Sequence, residues 1–508
     1  MGDEPRGDAT GGVPVGSSEA AGAGGETSRR GFLKASAGLV VGGAAAQLLP
    51  SRALAQATGP ADADLQRVQE ARRILLQGGV VLSLDPAVGD FAQADVLIED
   101  GKLREVRPNV SVPADAAVVD ATNMIVVPGF IDTHHHFYQG LLRNILPNGL
   151  LNPDYNRDIQ GTLTPAYEPS DVYAGALISA LGMIDMGTTA AVDTSQVSHT
   201  PEHTDAGIRA LQEAGIRALY AYWRGDGPDA QYPQGIVRLR QAYFNSPDQL
   251  LTLGMGATLS ADNLPEIIGF AREVGANLFS HGVSDASEQR LIEFTRAGLL
   301  GAGDEYIHCN HLSDEAWQMI RDSGGKASLA VPIEMAMGHG MPGIQPALDH
   351  GIRPSLSSDV DATMAQDPFT LMRSTFTLQR LLVLQRARNG EENLPPLLTS
   401  RDVLEFATIE GARAMGLGDK VGSLTPGKEA DIVMLRADRL NVWPLNNAPG
   451  AIVNVMDPSN VDTVFIAGQV RKWRGQLVGV DEARIRRLVA EARDAVLRRS
   501  SFPLDLFG

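Results

Sequence analysis

Between Met124 and Asp359 one pattern recurs eight times: a short apolar run, then a stretch of helical periodicity. The first apolar run ends in a strand expected over 124–136, and the others predict strands over 188–193, 218–223, 250–254, 276–281, 303–308, 326–331 and 353–359. Helical stretches intervene, for example over 171–186, 201–214, 264–274, 287–297 and 313–323. Continuous apolar runs, rather than alternating ones, suit strands covered on both faces, and strand–helix alternation makes those strands parallel. Eight such units are the count that closes a (β/α)8 barrel, whose active site lies at the C-terminal ends of its strands.

Those strand ends carry polar groups. The first closes on Asp132-Thr133-His134-His135-His136, and His281, His308 and Asp359 close three others. Alternate residues of a strand share a face, so His134 and His136 point one way and His135 the other. Two imidazoles about 6–7 Å apart along a strand can grip one metal ion. All ten histidines fall between residues 134 and 350, which locates the chemistry in this middle section.

The flanks read differently. Short strand-like runs fill 64–123 and return over 417–480, two helices are expected over 368–388 and 400–415, and a charged helix over 481–499 leads into the tail. Residues 1–27 are rich in Gly, Ala and acidic side chains and are expected to be disordered. Ser28-Arg29-Arg30-Gly31-Phe32-Leu33-Lys34, a Gly/Ala-rich apolar run and Ala53-Leu54-Ala55 then make a twin-arginine export signal. That run is too short and weak to span a membrane. Export by the Tat translocation machinery to a periplasmic or extracellular location is therefore expected, with cleavage after Ala55. The net charge of −18 leaves no basic stripe for nucleic acid. The single cysteine, Cys309, rules out an intrachain disulfide.

Five motifs resemble the amidohydrolase superfamily, in its cytosine-deaminase and chlorohydrolase-like branch: Pro128-Gly-Phe-Ile-Asp-Thr-His-His-His136, His308-Cys-Asn-His-Leu-Ser-Asp-Glu315, Ser358-Asp359, Ala407-Thr408 with Gly411-Ala412, and Gly422-Ser-Leu-Thr-Pro-Gly-Lys-Glu-Ala-Asp431. The resemblance covers about residues 72–480. It implies that His134, His136, His281 and Asp359 ligate a metal, and that His308 touches the attacking oxygen or the substrate. It also implies that the strands on either side of the barrel (124–416) join into one composite β-sandwich. Superfamily members with two metals bridge them by a carboxylated lysine on a barrel strand, and this chain has no lysine between His136 and Lys326. One divalent ion is expected, Zn²⁺ first and Fe²⁺ next for an N3O donor set. The implied reaction is hydrolysis of a non-peptide C–N bond in a small molecule (an amide, urea or aminoheterocycle) by a metal-bound hydroxide, with Asp359 moving the proton. Hydrolytic dechlorination, or a degenerate site that binds without turnover, are the alternatives, and a homo-oligomer is possible.

One departure bears on the reaction. Deaminases of the branch carry a glutamate three residues after the strand-five histidine, where this chain has Ser284. The loop expected after strand seven offers Glu334 as a substitute acid/base and His339 as a substrate contact. Gln139 and Arg143, in a long Asn/Pro/Gly-rich insertion over 137–170, are further candidates for substrate binding. His199 and His203 read as a loop and a helix-start residue, and His311 as a partner of the ligands. Met335, Met337 and Met341 with Tyr222 and Trp223 suggest an apolar pocket.

Overall fold

The computed structural model describes residues 62–507, so the export-signal segment lies outside the described residues. Five strands come first: β1 (Arg73–Leu82), β2 (Asp90–Glu99), β3 (Lys102–Arg107), β4 (Ala116–Asp120) and β5 (Met124–Pro128). Eight parallel strands follow as β6 (Phe130–His135), β7 (Thr188–Ser195), β8 (Arg217–Tyr222), β9 (Leu251–Ala257), β10 (Leu278–Ser284), β11 (Glu305–Asn310), β12 (Lys326–Leu329) and β13 (Ser355–Leu356). Four more, β14 (Ile432–Arg436), β15 (Val461–Ile466), β16 (Gln469–Trp473) and β17 (Gln476–Leu477), return to the first sheet. There β14 pairs antiparallel with β5, Val433 opposite Val127, so N- and C-terminal strands share one nine-stranded sheet. This is the expected (β/α)8 barrel with its composite β-sandwich.

The expected first strand is in fact two. Met124–Pro128 belongs to the mixed sheet, and the chain changes sheets at Gly129. A Cβ there would lie 2.0 Å from Thr189 Oγ1, so only glycine lets the chain cross so close to β7. Between β6 and β13 the ring closes through a bridge pairing His135 with Asp359: Asp359 N–H donates to the His134 carbonyl and His136 N–H to the Asp359 carbonyl, both at 2.9 Å.

The two sheets are also locked by charge. Arg217, the first residue of β8 and 1% exposed, donates from Nε to Asp431 Oδ2 at 2.8 Å and from Nη2 to Glu429 Oε2 at 2.6 Å. Asp431 Oδ1 takes a further bond from Ala467 N–H. This gives the acidic end of the 422–431 motif a physical role. Gly411, in the helical run after residue 400, packs where a Cβ would meet Ile131 of β6 at 2.8–2.9 Å. The 137–170 stretch is not an open loop. It forms short helical segments over Phe137–Leu142, Leu151–Leu163 and Thr164–Ala166, with Tyr138, Leu141, Tyr155, Ile159 and Leu163 buried. No described helix is long and apolar enough to cross a membrane.

Candidate metal centre

Strand β6 delivers His134 to the barrel mouth, and His136 follows at the start of the helical turn Phe137–Leu142. Their rings lie 4.8 Å apart between centroids, and each meets the His281 ring of β10, at 4.8 and 5.2 Å. Asp359 arrives on the segment after β13. Its Oδ1 stands 3.1 Å from His134 Nε2 and 3.4 Å from His136 Nε2, and its Oδ2 3.8 Å from His308 Nε2. One donor atom each from His134, His281, His308 and Asp359 all lie within 4.8 Å of one another. The sequence-predicted ligands and His308 thus meet at one place.

Neighbouring groups fix which nitrogen faces the centre. Thr194 of β7 holds both ligand rings from behind: its Oγ1 is 2.8 Å from His134 Nδ1 and its carbonyl accepts from His136 Nδ1 at 3.0 Å. Glu334 does the same for His308, with Oε1 at 3.1 Å from Nδ1. Among the described residues, the inward, buried Nε2 atoms of His136 and His308 have no hydrogen-bond partner. Burial pushes the His134 pKa down to about 3, and burial with neighbouring imidazoles holds His281 well below its usual value. Burial works to raise the Asp359 carboxyl, but His134, His136 and His308 hold it well below the usual carboxylate range. Neutral imidazoles around an ionised carboxylate are the donor state a divalent metal requires, so the residues present fit such an ion.

His135 faces away, as expected. Its Nδ1 lies 2.9 Å from Ser358 Oγ and its Nε2 3.4 Å from Asp361, which accepts from Ser179 at 2.7 Å. Burial opposes a charge on His135, yet Asp361 and Asp132 raise its pKa.

The remaining candidates fall unevenly. Glu334 sits in a short helix, Val331–Ala336, rather than a loop, and is fully buried behind His308. Its position suits holding His308; it does not line the cleft. His339 stacks edge-on against His308 at 4.8 Å, with a buried, unpartnered Nε2. Gln139 is buried beside the site and donates to Tyr155 at 2.7 Å and Tyr138 at 3.2 Å. Arg143 instead reaches the Ile178 carbonyl and Asp361, outside the constellation. His311 packs under Gly340, and Met337 joins the core while Met335 and Met341 are exposed, so the loop does not line an apolar pocket. His199 and His203 are spent on backbone contacts, Thr164 O and Tyr167 O. Thr194 and Tyr155 escaped the sequence reading. The strand expected to end at 193 stops one residue short of Thr194, and Tyr155 lies in the stretch read as an insertion.

A cleft of about 620 Å³ opens beside the centre, lined by Gln160, Gln196, Trp223, Asp226, Tyr232 and Asn263 among others. Trp223 joins it to the ligands, its ring 5.8 Å from that of His281.

Residues 125–471 match the Amidohydrolase family. The chain belongs to that family. It is 29% identical over 449 residues to the 5'-deoxyadenosine deaminase of Methanothermobacter thermautotrophicus, spanning 84% of this chain and 98% of the relative. Among solved structures it resembles an adenosine deaminase from Xanthomonas campestris with bound zinc, with a TM-score of 0.72, 19% identity, and 84% and 98% of the two chains covered. It also resembles the atrazine chlorohydrolase of Arthrobacter aurescens TC1 complexed with zinc, with a TM-score of 0.70, 21% identity, and 83% and 100% covered. These two likenesses establish a shared fold. Like its deaminase relatives, this amidohydrolase is a metal-dependent hydrolase of C–N bonds other than peptide bonds.

Proposed function

We propose that the chain is a one-zinc deaminase of an aminoheterocycle, with aminopurine nucleosides as the first class to try. The observation that carries this reading is the meeting of His134, His281, His308 and Asp359 within 4.8 Å of one another, with His136 Nε2 3.4 Å from Asp359, at the mouth of the barrel beside a cleft large enough for a nucleoside. The deaminase relatives support the substrate class.

His134, His136, His281 and Asp359 would hold the ion. A divalent metal there would supply Lewis acidity and lower the pKa of a water to about 7. Asp359 Oδ2, turned toward His308, is placed to accept a proton and return it to the leaving nitrogen. His308, braced at Nδ1 by Glu334, presents Nε2 to the reacting centre. Water is consumed and ammonia released, with oxygen replacing the amino group on the ring.

Metal content and ammonia release, measured over adenosine-type nucleosides, aminotriazines and cyclic amides, test the reading. One zinc per chain and ammonia from an aminopurine are expected. Two metals per chain, or zinc-loaded protein inert toward every aminopurine, would refute it. Hydrolytic dechlorination is the second reading: Ser284 leaves β10 without a carboxyl for proton transfer, and chloride, unlike an amine, departs without a proton, so Asp359 alone meets the smaller proton demand. Chloride release from a chlorotriazine distinguishes it. Export through the twin-arginine route, with cleavage after Ala55, is part of the same proposal, and N-terminal sequencing of the exported protein checks it.

A further inference from the structure

The segment between β6 and the helix Pro169–Asp185 carries a hydrogen-bond network that does not close on itself. A phenol oxygen can accept two hydrogen bonds and donate one. Tyr155, 6% exposed, accepts from Gln139 Nε2 at 2.7 Å and from Gln160 Nε2 at 3.1 Å. Its own hydrogen finds no acceptor among the described residues. Gln139 is complementary. Its amide nitrogen serves Tyr155 and Tyr138, while its Oε1 is buried with no partner. One donor and one acceptor, both out of water and both unspent, therefore lie side by side. Buried polar groups are rarely left unpaired, so each of these calls for a partner.

Their place in the fold gives the ligand. Gln139 follows His136 by one helical turn, its N–H on the His136 carbonyl at 2.9 Å. The Tyr138 ring meets the His136 ring at 6.2 Å, and the charge of Asp359 acts on the Tyr155 phenol. On the other side Gln160 donates to Gln196 at 3.0 Å, and both line the cleft. The pair thus stands between the metal centre and the substrate cleft. Tyr138 differs in kind, because its hydroxyl is matched by Thr164 Oγ1 at 3.2 Å.

We propose that Tyr155 and Gln139 read the amidine edge of the substrate. The Tyr155 hydroxyl donates to the ring nitrogen beside the reacting carbon, and Gln139 Oε1 accepts from the exocyclic amino group. This rests on the aminoheterocycle reading above. It supplies a neutral donor to a ring nitrogen that, with Ser284 in β10, has no carboxyl from that strand. An amide, a urea or a chlorotriazine presents a different pattern of donors and acceptors at the same place.

The test compares an aminopurine nucleoside with its 1-deaza analogue, in which C–H replaces that ring nitrogen. Dissociation constants are taken on the zinc-loaded protein, by single-turnover titration for the first and calorimetry for the second. Wild type binds the nitrogen-containing compound more tightly. Tyr155→Phe reduces that preference about three- to tenfold, the range for one neutral hydrogen bond, by weakening only the nitrogen-containing member. Gln139→Met weakens both compounds, since both keep the amino group, and Tyr138→Phe leaves the ratio unchanged. Zinc content and melting temperature report that each variant is folded and loaded. An unchanged preference in Tyr155→Phe overturns the proposal even where the wild type deaminates the nucleoside. If that variant fails to fold, equal affinity of the wild type for the two compounds overturns it just as firmly. A wild type that releases no ammonia from any aminoheterocycle removes the functional reading, and the edge reader with it.

Discussion

Substitution of Glu334 separates two roles that the sequence leaves together. Two donors converge on one of its oxygens: His308 Nδ1 at 3.1 Å and Ala330 N–H at 2.8 Å both reach Oε1, while Oε2 is buried and unpartnered. Glutamine can keep a carbonyl oxygen at the Oε1 position and put its NH₂ where Oε2 was. Both bonds then survive, and only the charge is lost. A hydrogen bond to a charged group contributes about 1.5–3 kcal/mol and a neutral one about 0.5–1.5 kcal/mol. The difference, about 1 kcal/mol, is about a five- to tenfold fall in turnover. Glu334→Ala removes the acceptor from two buried donors and frees the His308 ring to rotate; at about 1–3 kcal/mol per orphaned donor, turnover falls about a hundredfold or more. The assay is kcat on the deaminated substrate, with zinc content measured alongside. A Glu334→Gln enzyme as inactive as Glu334→Ala would refute this reasoning, because a side chain that only holds His308 tolerates the amide and one that carries the proton does not.

Three further outcomes follow from the geometry. His308→Ala should abolish turnover and retain zinc, since His134, His136, His281 and Asp359 still converge; loss of zinc by elemental analysis would make His308 a ligand. Gly129→Ala should cost about 1–3 kcal/mol or more in urea unfolding by overpacking, and Thr189→Ala should not rescue it, because Thr189 Cβ itself lies 2.6 Å from the new methyl; rescue would place the clash elsewhere. Arg217→Ala should cost about 3–5 kcal/mol by stranding the buried Asp431 carboxylate, and a loss below about 1 kcal/mol would mean that this ion pair does not hold the two sheets together.

What could be read in advance follows from how local each signal is. The barrel strands were legible because a strand buried on both faces is a continuous apolar run, and the helix Pro201–Ala214 was legible to the residue because Thr200 caps it and Gly215 ends it in the left-handed region. The switch at Gly129 was not, because its cause is a side chain on β7 some sixty residues away. The sequence puts Glu334 in a loop because Val331 resembles the end of a strand, whereas Pro332 opens a short helix there. The ligand set was legible one residue at a time, from strand ends. The groups that aim those ligands, Thr194 and Glu334, act through distances that no spacing in the sequence encodes. Tyr155 was hidden in a stretch whose Asn, Pro and Gly content suggests a loop, although every fourth residue from Tyr155 to Leu163 is buried.

The same seam closes the barrel and assembles the site. Strand β13 is two residues long, and the pairing that completes the ring is made beyond it, between Asp359 and the backbone of His134 and His136. To make that pairing Asp359 takes a φ of 60°, and on β11 His308 takes 78°; neither is glycine. Such conformations cost on the order of 1–3 kcal/mol each and persist only where the surroundings over-determine them. Here they re-aim two side chains, which a regular strand would send alternately into the barrel or out toward the helices, into the space between His134, His136 and His281. A bound divalent ion would draw together the same residues that the backbone already pairs. The stability that such an ion contributes would therefore be concentrated at the β6–β13 seam, where the strand ladder is shortest.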